Sequence, residues 1–186
     1  MRRRVVVLMM LLSLLLCGCR EKKDDFQRAL DFRNGIGSGG CSFVAEVQAD
    51  YGDKVYQFTL ECAYDGQDGF LKVLSPEAIA GISARVDGGS ATMEFDGLSL
   101  EYGELANGYV APLTIPWLLG STWADDYISS AGEDNDRYLV TYLKGYHDEE
   151  LTIKTWFEKN TPVFAEVSYN GQRVLSAAIR EFTLNK

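Results

Sequence analysis

Two dipeptides, Asp96-Gly97 and Asn170-Gly171, restrict the fold of this chain more than any other feature. Type I′ turns need φ above zero at both central residues, and Asn-Gly and Asp-Gly supply it most cheaply. Each pair lies between runs in which apolar and polar residues alternate, the period of a strand buried on one face. Across Asp96-Gly97, Phe95, Met93 and Ala91 face Leu98, Leu100 and Tyr102, while Thr92 and Glu94 share the other face with Ser99 and Glu101. The turn at residues 87–90 repeats the pattern, matching Ile82, Ala84 and Val86 with Phe95, Met93 and Ala91.

The same reading finds further strands at residues 70–75, 138–144, 151–157, 163–169 and 173–184. Helical periodicity is scarce. Residues 26–33 make two turns before Gly35, and residues 116–119, between Pro112 and Gly120, make a short helix. Residues 125–136 read as an acidic loop. The expected fold is mainly β, of the α+β class. It is a strongly curved, meandering antiparallel sheet of about nine to eleven strands with one or two short covering helices.

The amino terminus carries an address. Arg2-Arg3-Arg4 precede the apolar residues 5–16, and Leu16-Cys17-Gly18-Cys19 follow. A basic run before a short apolar run is the pattern of a signal peptide, and a membrane-spanning helix needs about 20 apolar residues. The Leu-Cys-Gly-Cys end resembles a bacterial lipobox. That resemblance implies removal of residues 1–18 and an acylated Cys19, whose palmitate-type chains hold the protein on the outer side of the cell membrane. The alternative is an ordinary secretory signal with a free product. Residues 19–38 are then an acylated, mixed-charge tether with the short helix, and residues 39–186 are the folded domain. Loss of Arg2, Arg3 and Arg4 takes the net charge from −9 to −12. Such a body is unsuited to nucleic acid or to an anionic membrane surface.

Two cysteines remain once Cys17 is removed and Cys19 acylated. Residues 41–50 and 53–62 read as two strands around Tyr51-Gly52. Placing Asp50 opposite Asp53 sets Phe43 against Leu60, Ala45 against Phe58, Val47 against Tyr56 and Cys41 against Cys62. That last rung is a non-hydrogen-bonded pair, where side chains approach most closely. In an oxidising compartment the register predicts a Cys41–Cys62 disulfide, contributing about 3 kcal/mol by loop entropy. Two buried free thiols are the alternative.

Strand 151–157 ends in Trp156-Phe157-Glu158, a turn leads into Pro162, a strand follows, and Asn170-Gly171 opens the last strand. With the opening hairpins and the helical insertion at residues 112–119, this order resembles the LolA/LolB superfamily of periplasmic lipoprotein carriers. LppX- and LprG-like lipoproteins and GerS-like partner lipoproteins fall within the likeness. The resemblance covers roughly residues 40–184 and implies an incomplete β-barrel whose apolar concave side holds acyl chains or engages a protein. The residues expected on that groove or its cover are Phe43, Val47, Tyr56, Phe58, Leu60, Met93, Phe95, Leu100, Tyr102 and Trp117.

Nothing points to catalysis, and no catalytic residue, cofactor or metal is expected. His147 is the single histidine, in an exposed turn, and a transition-metal site needs more donors. Glu133-Asp134-Asn135-Asp136 lacks the glycine and terminal glutamate of a calcium loop, so a solvated loop is favoured. Asp125-Asp126 are chain neighbours with no other catalytic group in the pattern. Two functions remain. One is a membrane-anchored, non-enzymatic lipoprotein that binds the acyl chains of a lipid or lipoprotein. The other is an envelope module for a protein partner, such as a cell-wall or spore-cortex enzyme.

Overall fold

A computed structural model of the protein describes residues 21–185, apart from residues 51, 53, 88–89, 103–110 and 146–149. A helix, α1 (Glu21–Gly37), leads into six strands: β1 (Cys41–Asp50), β2 (Val55–Tyr64), β3 (Asp68–Ser75), β4 (Ser83–Asp87), β5 (Ser90–Phe95) and β6 (Leu98–Tyr102). A second helix, α2 (Ile115–Asp125), precedes β7 (Tyr127–Asp134), β8 (Arg137–Lys144), β9 (Leu151–Glu158), β10 (Thr161–Tyr169) and β11 (Gln172–Leu184). The strands form one 11-stranded antiparallel sheet in the order β6-β5-β4-β3-β2-β1-β11-β10-β9-β8-β7. The first and last strands meet at its centre. β6 and β7 are its edges, so the sheet curves without closing, as an incomplete barrel.

The downstream hairpins have the register read from the sequence: Met93 pairs with Ala84 and Leu100, Ala91 with Val86 and Tyr102, and Phe95 with Leu98. The first hairpin does not. Asp50 pairs with Val55, which sets Phe43 opposite Cys62, Cys41 opposite Tyr64 and Ala45 opposite Leu60. Cys41 and Cys62 are therefore on different rungs, and both are buried free thiols. The physical reason is parity. A slip of one residue turns every side chain to the other face, but a slip of two leaves the faces unchanged. Apolar alternation thus fixed the face and not the partner. The loop decided it: residues 51–54 connect the strands, and the Gly52 amide donates to the Asp50 carboxylate at 3.1 Å.

Both helices are longer than expected. In α1, Ala29 and Ile36 are buried and Phe32 is half-buried, one stripe at spacings of three and four. The helix starts at Glu21, inside the run expected as a tether. It stops where Gly39 and Gly40 donate to the Ile36 carbonyl at 3.3 and 2.7 Å. At Gly40 φ is +80°, and a Cβ there would lie 1.9 Å from the Tyr64 carbonyl oxygen. α2 continues through Gly120, Ser121 and Thr122, all buried, to Asp125. Gly120 is a contact and not a stop: a Cβ there would lie 2.2 Å from Cγ of Tyr64.

The expected acidic loop is mostly strand. β7 sits at an edge with Ser129 and Ser130 exposed and a bulge between Ile128 and Ser130, which erases the alternation. Asn135 and Asp136, both at positive φ, turn it into β8.

Candidate functional site: the concave face and its open corner

Alternate residues of each strand point into the concavity. Along β1 these are Cys41, Phe43, Ala45, Val47 and Ala49, none more than 2 % exposed. From there the inner face continues through Leu175, Ala177 and Ile179 of β11, Ala165 and Val167 of β10, Ile153 and Phe157 of β9, and Val140 and Tyr142 of β8, all buried.

The two helices fill most of this hollow. α2 presses its backbone onto the sheet where glycine permits it, since a Cβ on Gly69 would lie 2.3 Å from the Trp117 nitrogen. Trp123, fully buried, is the centre of the packing. Phe32 of α1, Phe43 of β1 and Phe182 of β11 surround it with ring centroids 5.7–6.0 Å away. Its indole Nε1 donates to Thr155 Oγ1 at 3.0 Å. α1 is fastened at its start by Tyr138, whose hydroxyl donates to the Asp25 carbonyl, and by Arg28, which stacks on the Tyr138 ring at 4.1 Å and donates to the Lys159 carbonyl. Burial pushes the Tyr64 and Tyr138 hydroxyls up to about 12 and raises that of Tyr142 further.

One corner stays open. At the end of β2 away from α2, Tyr56 is 43 % exposed and Phe58 half-buried, with ring centroids 6.5 Å apart. At the same end of the sheet, Phe95 and Leu98 flank the β5–β6 turn with 49 % and 72 % exposure. Ile79 and Ile82, half-buried in the β3–β4 connection, lie between them; Val73 donates to the Ile82 carbonyl at 2.8 Å and links that connection to the sheet. Exposed aromatic and aliphatic side chains on the inner side of the sheet, continuous with its core, form an apolar patch.

The ten expected groove residues therefore divide. Phe43, Val47 and Leu60 are buried in the filled region, Tyr56, Phe58 and Phe95 form the open corner, and Met93 and Trp117 are half-buried between. Leu100 and Tyr102 hold their places in the β6 register. Sequence reasoning missed Trp123, which lay beyond the expected end of its helix, and Leu98, which the hairpin register did contain.

Two of the acidic residues, Asp134 and Asp126, are engaged structurally. Asp134 accepts from Trp156 Nε1 at 2.7 Å and from Asn135 at 3.0 Å, and Asp126 pairs with Lys144 at 3.0 Å. His147 lies outside the described residues, as does Cys19. Among the described residues no group of His, Cys, Asp and Glu is placed to hold a metal ion, and no helix is long and apolar enough to cross a membrane.

The open, curved antiparallel sheet carries two helices on its concave side and forms an incomplete barrel. No family model matches the sequence, and no curated protein does. Among solved structures, the LolA superfamily protein NE2245 from Nitrosomonas europaea is similar at 10 % identity and a TM-score of 0.46, over 87 % of this chain and 94 % of that one. An uncharacterized conserved protein from Thermus thermophilus is similar at 8 % identity and a TM-score of 0.47, over 86 % and 87 %. A chain in the structure of the CwlD amidase from Clostridioides difficile in complex with the GerS lipoprotein is similar at 14 % identity and a TM-score of 0.41, over 83 % and 92 %.

Proposed function

We propose that this protein is an extracytoplasmic lipoprotein, anchored through acylated Cys19, that binds acyl chains of a lipid or lipoprotein without catalysing a reaction. The observation that carries the reading is the open corner. Tyr56, Phe58, Phe95 and Leu98 expose apolar surface on the inner side of the sheet, where a soluble domain normally hides it. Burial of that surface by an acyl chain is favourable by about 25 cal/mol per Å². A short connection supports the anchor. Only Arg20 separates Cys19 from the first residue of α1, so acylation would hold the body close to the bilayer.

The test is extraction of the domain made without residues 1–19. The reading expects acyl-bearing lipid to co-purify near one molecule per chain, and to be lost in Tyr56→Asp and Phe95→Asp variants that still fold. An empty extract from folded protein, together with one envelope protein cross-linked to the intact lipoprotein, would replace it with the protein-partner function.

A further inference from the structure

Beneath the helices lies a polar junction that the packing leaves incomplete. Three buried hydrogen-bonding atoms lack a partner there: Nε of Arg33 on α1, Oγ1 of Thr122 on α2 and Oη of Tyr142 on β8. Thr122 and Tyr142 are 0 % exposed. Contacts at Asp126 bring Arg33, the end of α2 and β8 to one place. Arg33 donates to the Asp126 carbonyl, and Thr122 stands one helical turn before Asp126. Lys144, two residues beyond Tyr142 on the same face of β8, donates to Asp126 Oδ2 and Ser121 Oγ, each at 3.0 Å. Arg33 also lies near enough to Tyr142 to act on its hydroxyl electrostatically.

The charges do not balance. Lys144 and Asp126 neutralise each other, and Asp125 beside them is exposed. Arg33 has no carboxylate partner among the described residues. A buried guanidinium N–H and two buried hydroxyls without acceptors are costly, and a negatively charged oxygen beside Arg33 and Tyr142 would accept from both.

We propose that this junction receives the carboxylate of a long-chain fatty acid, which makes it the polar end of the apolar site; the inference rests on the acyl-binding reading above. The sheet connects the two places. Tyr142, Ile153, Val167, Leu175, Ala49 and Tyr56 are successive partners across six strands. At about 4.8 Å per strand this floor runs roughly 24 Å along the curve, with apolar side chains between its two tyrosines. It ends at the open corner on one side and at Arg33 and Tyr142 on the other. Ile153, Val167, Leu175 and Ala49 lie buried in the same core as Leu118 and Leu119, so a bound chain takes the place of side chains that now cover this floor.

The experiment compares palmitate with hexadecanol, which has the same chain and no carboxylate. Binding of each to the full chain in lipid nanodiscs is measured over protein-free nanodiscs, for wild type, Arg33→Gln and Tyr142→Phe. The expected result is about a tenfold preference of wild type for palmitate, the scale of a charge-assisted hydrogen bond. Both variants should bring the ratio close to one without weakening hexadecanol. Equal binding of the two ligands by wild type overturns the carboxylate site and leaves the acyl groove, with water filling the junction. A palmitate preference that survives in both variants overturns it too. Failure of wild type to bind either ligand overturns the groove itself.

Discussion

The two halves of the sheet solve the same problem differently. In the carboxy-terminal half, β7 to β11, the inner residues Val140, Tyr142, Ile153, Phe157, Val167 and Leu175 are all buried beneath two helices. In the amino-terminal half, β1 is equally buried, but exposure rises along β2 from Leu60 at 2 % to Tyr56 at 43 %, and reaches 49 % at Phe95 of β5. The inner surface is apolar in both. A curved sheet with two helices has enough cover for one half and part of the other. Stability and the proposed binding therefore belong to different regions, and each assignment can be broken separately.

The largest effect belongs to the covered half. Trp123→Ala removes the ring at the meeting point of α1, α2, β1 and β11, and should cost about 3–5 kcal/mol in urea unfolding. Next comes the seat of α2. Gly120→Ala places a Cβ against the Tyr64 ring and should cost roughly 1–3 kcal/mol, since the ring is itself buried. If either variant melts like wild type, α2 is not the cover described here.

A pH effect should follow from the same region. Burial raises Tyr64 and Tyr138 to about 12 in the folded protein, so the unfolded chain loses these protons first as pH rises. Their contribution is complete below about pH 10, the ordinary tyrosine value, and disappears as pH climbs to about 12. Urea midpoints at pH 9 and pH 11 should therefore fall with pH, and Tyr64→Phe should flatten part of that slope. A midpoint unchanged at pH 11 would contradict the burial of these hydroxyls.

The smallest stability effect should lie at the open corner. Phe95→Ser and Leu98→Ser should shift stability by less than about 1 kcal/mol, yet lower the uptake of a fluorescent fatty acid severalfold. Losses as large as that of Trp123→Ala would show that the corner is core and not an entrance.

Sequence period explains what was legible and what was not. Strands β4 to β6, β10 and β11 were readable because alternation and Asx-Gly turns agree there, β8 and β9 from alternation alone, and the register at Met93 followed from both signals. The register at Cys41 was not, because a two-residue slip keeps every face and only the loop after Asp50 distinguishes the alternatives. β7 was hidden because an edge strand with exposed Ser129 and Ser130 has no apolar partner to alternate with. α2 was cut short at Gly120 because a glycine that admits the Tyr64 ring looks the same in sequence as one that ends a helix. The apolar residues of the groove were named from the strands and the short helix at residues 116–119. Which of them stay uncovered depended on where α2 lies, and its position follows from contacts at Gly69 and Gly120 that no periodicity records.

The central claim is that the uncovered corner is where acyl chains enter. Photo-crosslinking with a diazirine-bearing palmitate, followed by peptide mapping of the adduct, tests it most directly. Adducts are expected on the peptides that contain Tyr56, Phe58 and Phe95 and should be displaced by excess palmitate. Adducts confined to other surfaces, or undiminished by the competitor, would contradict the account.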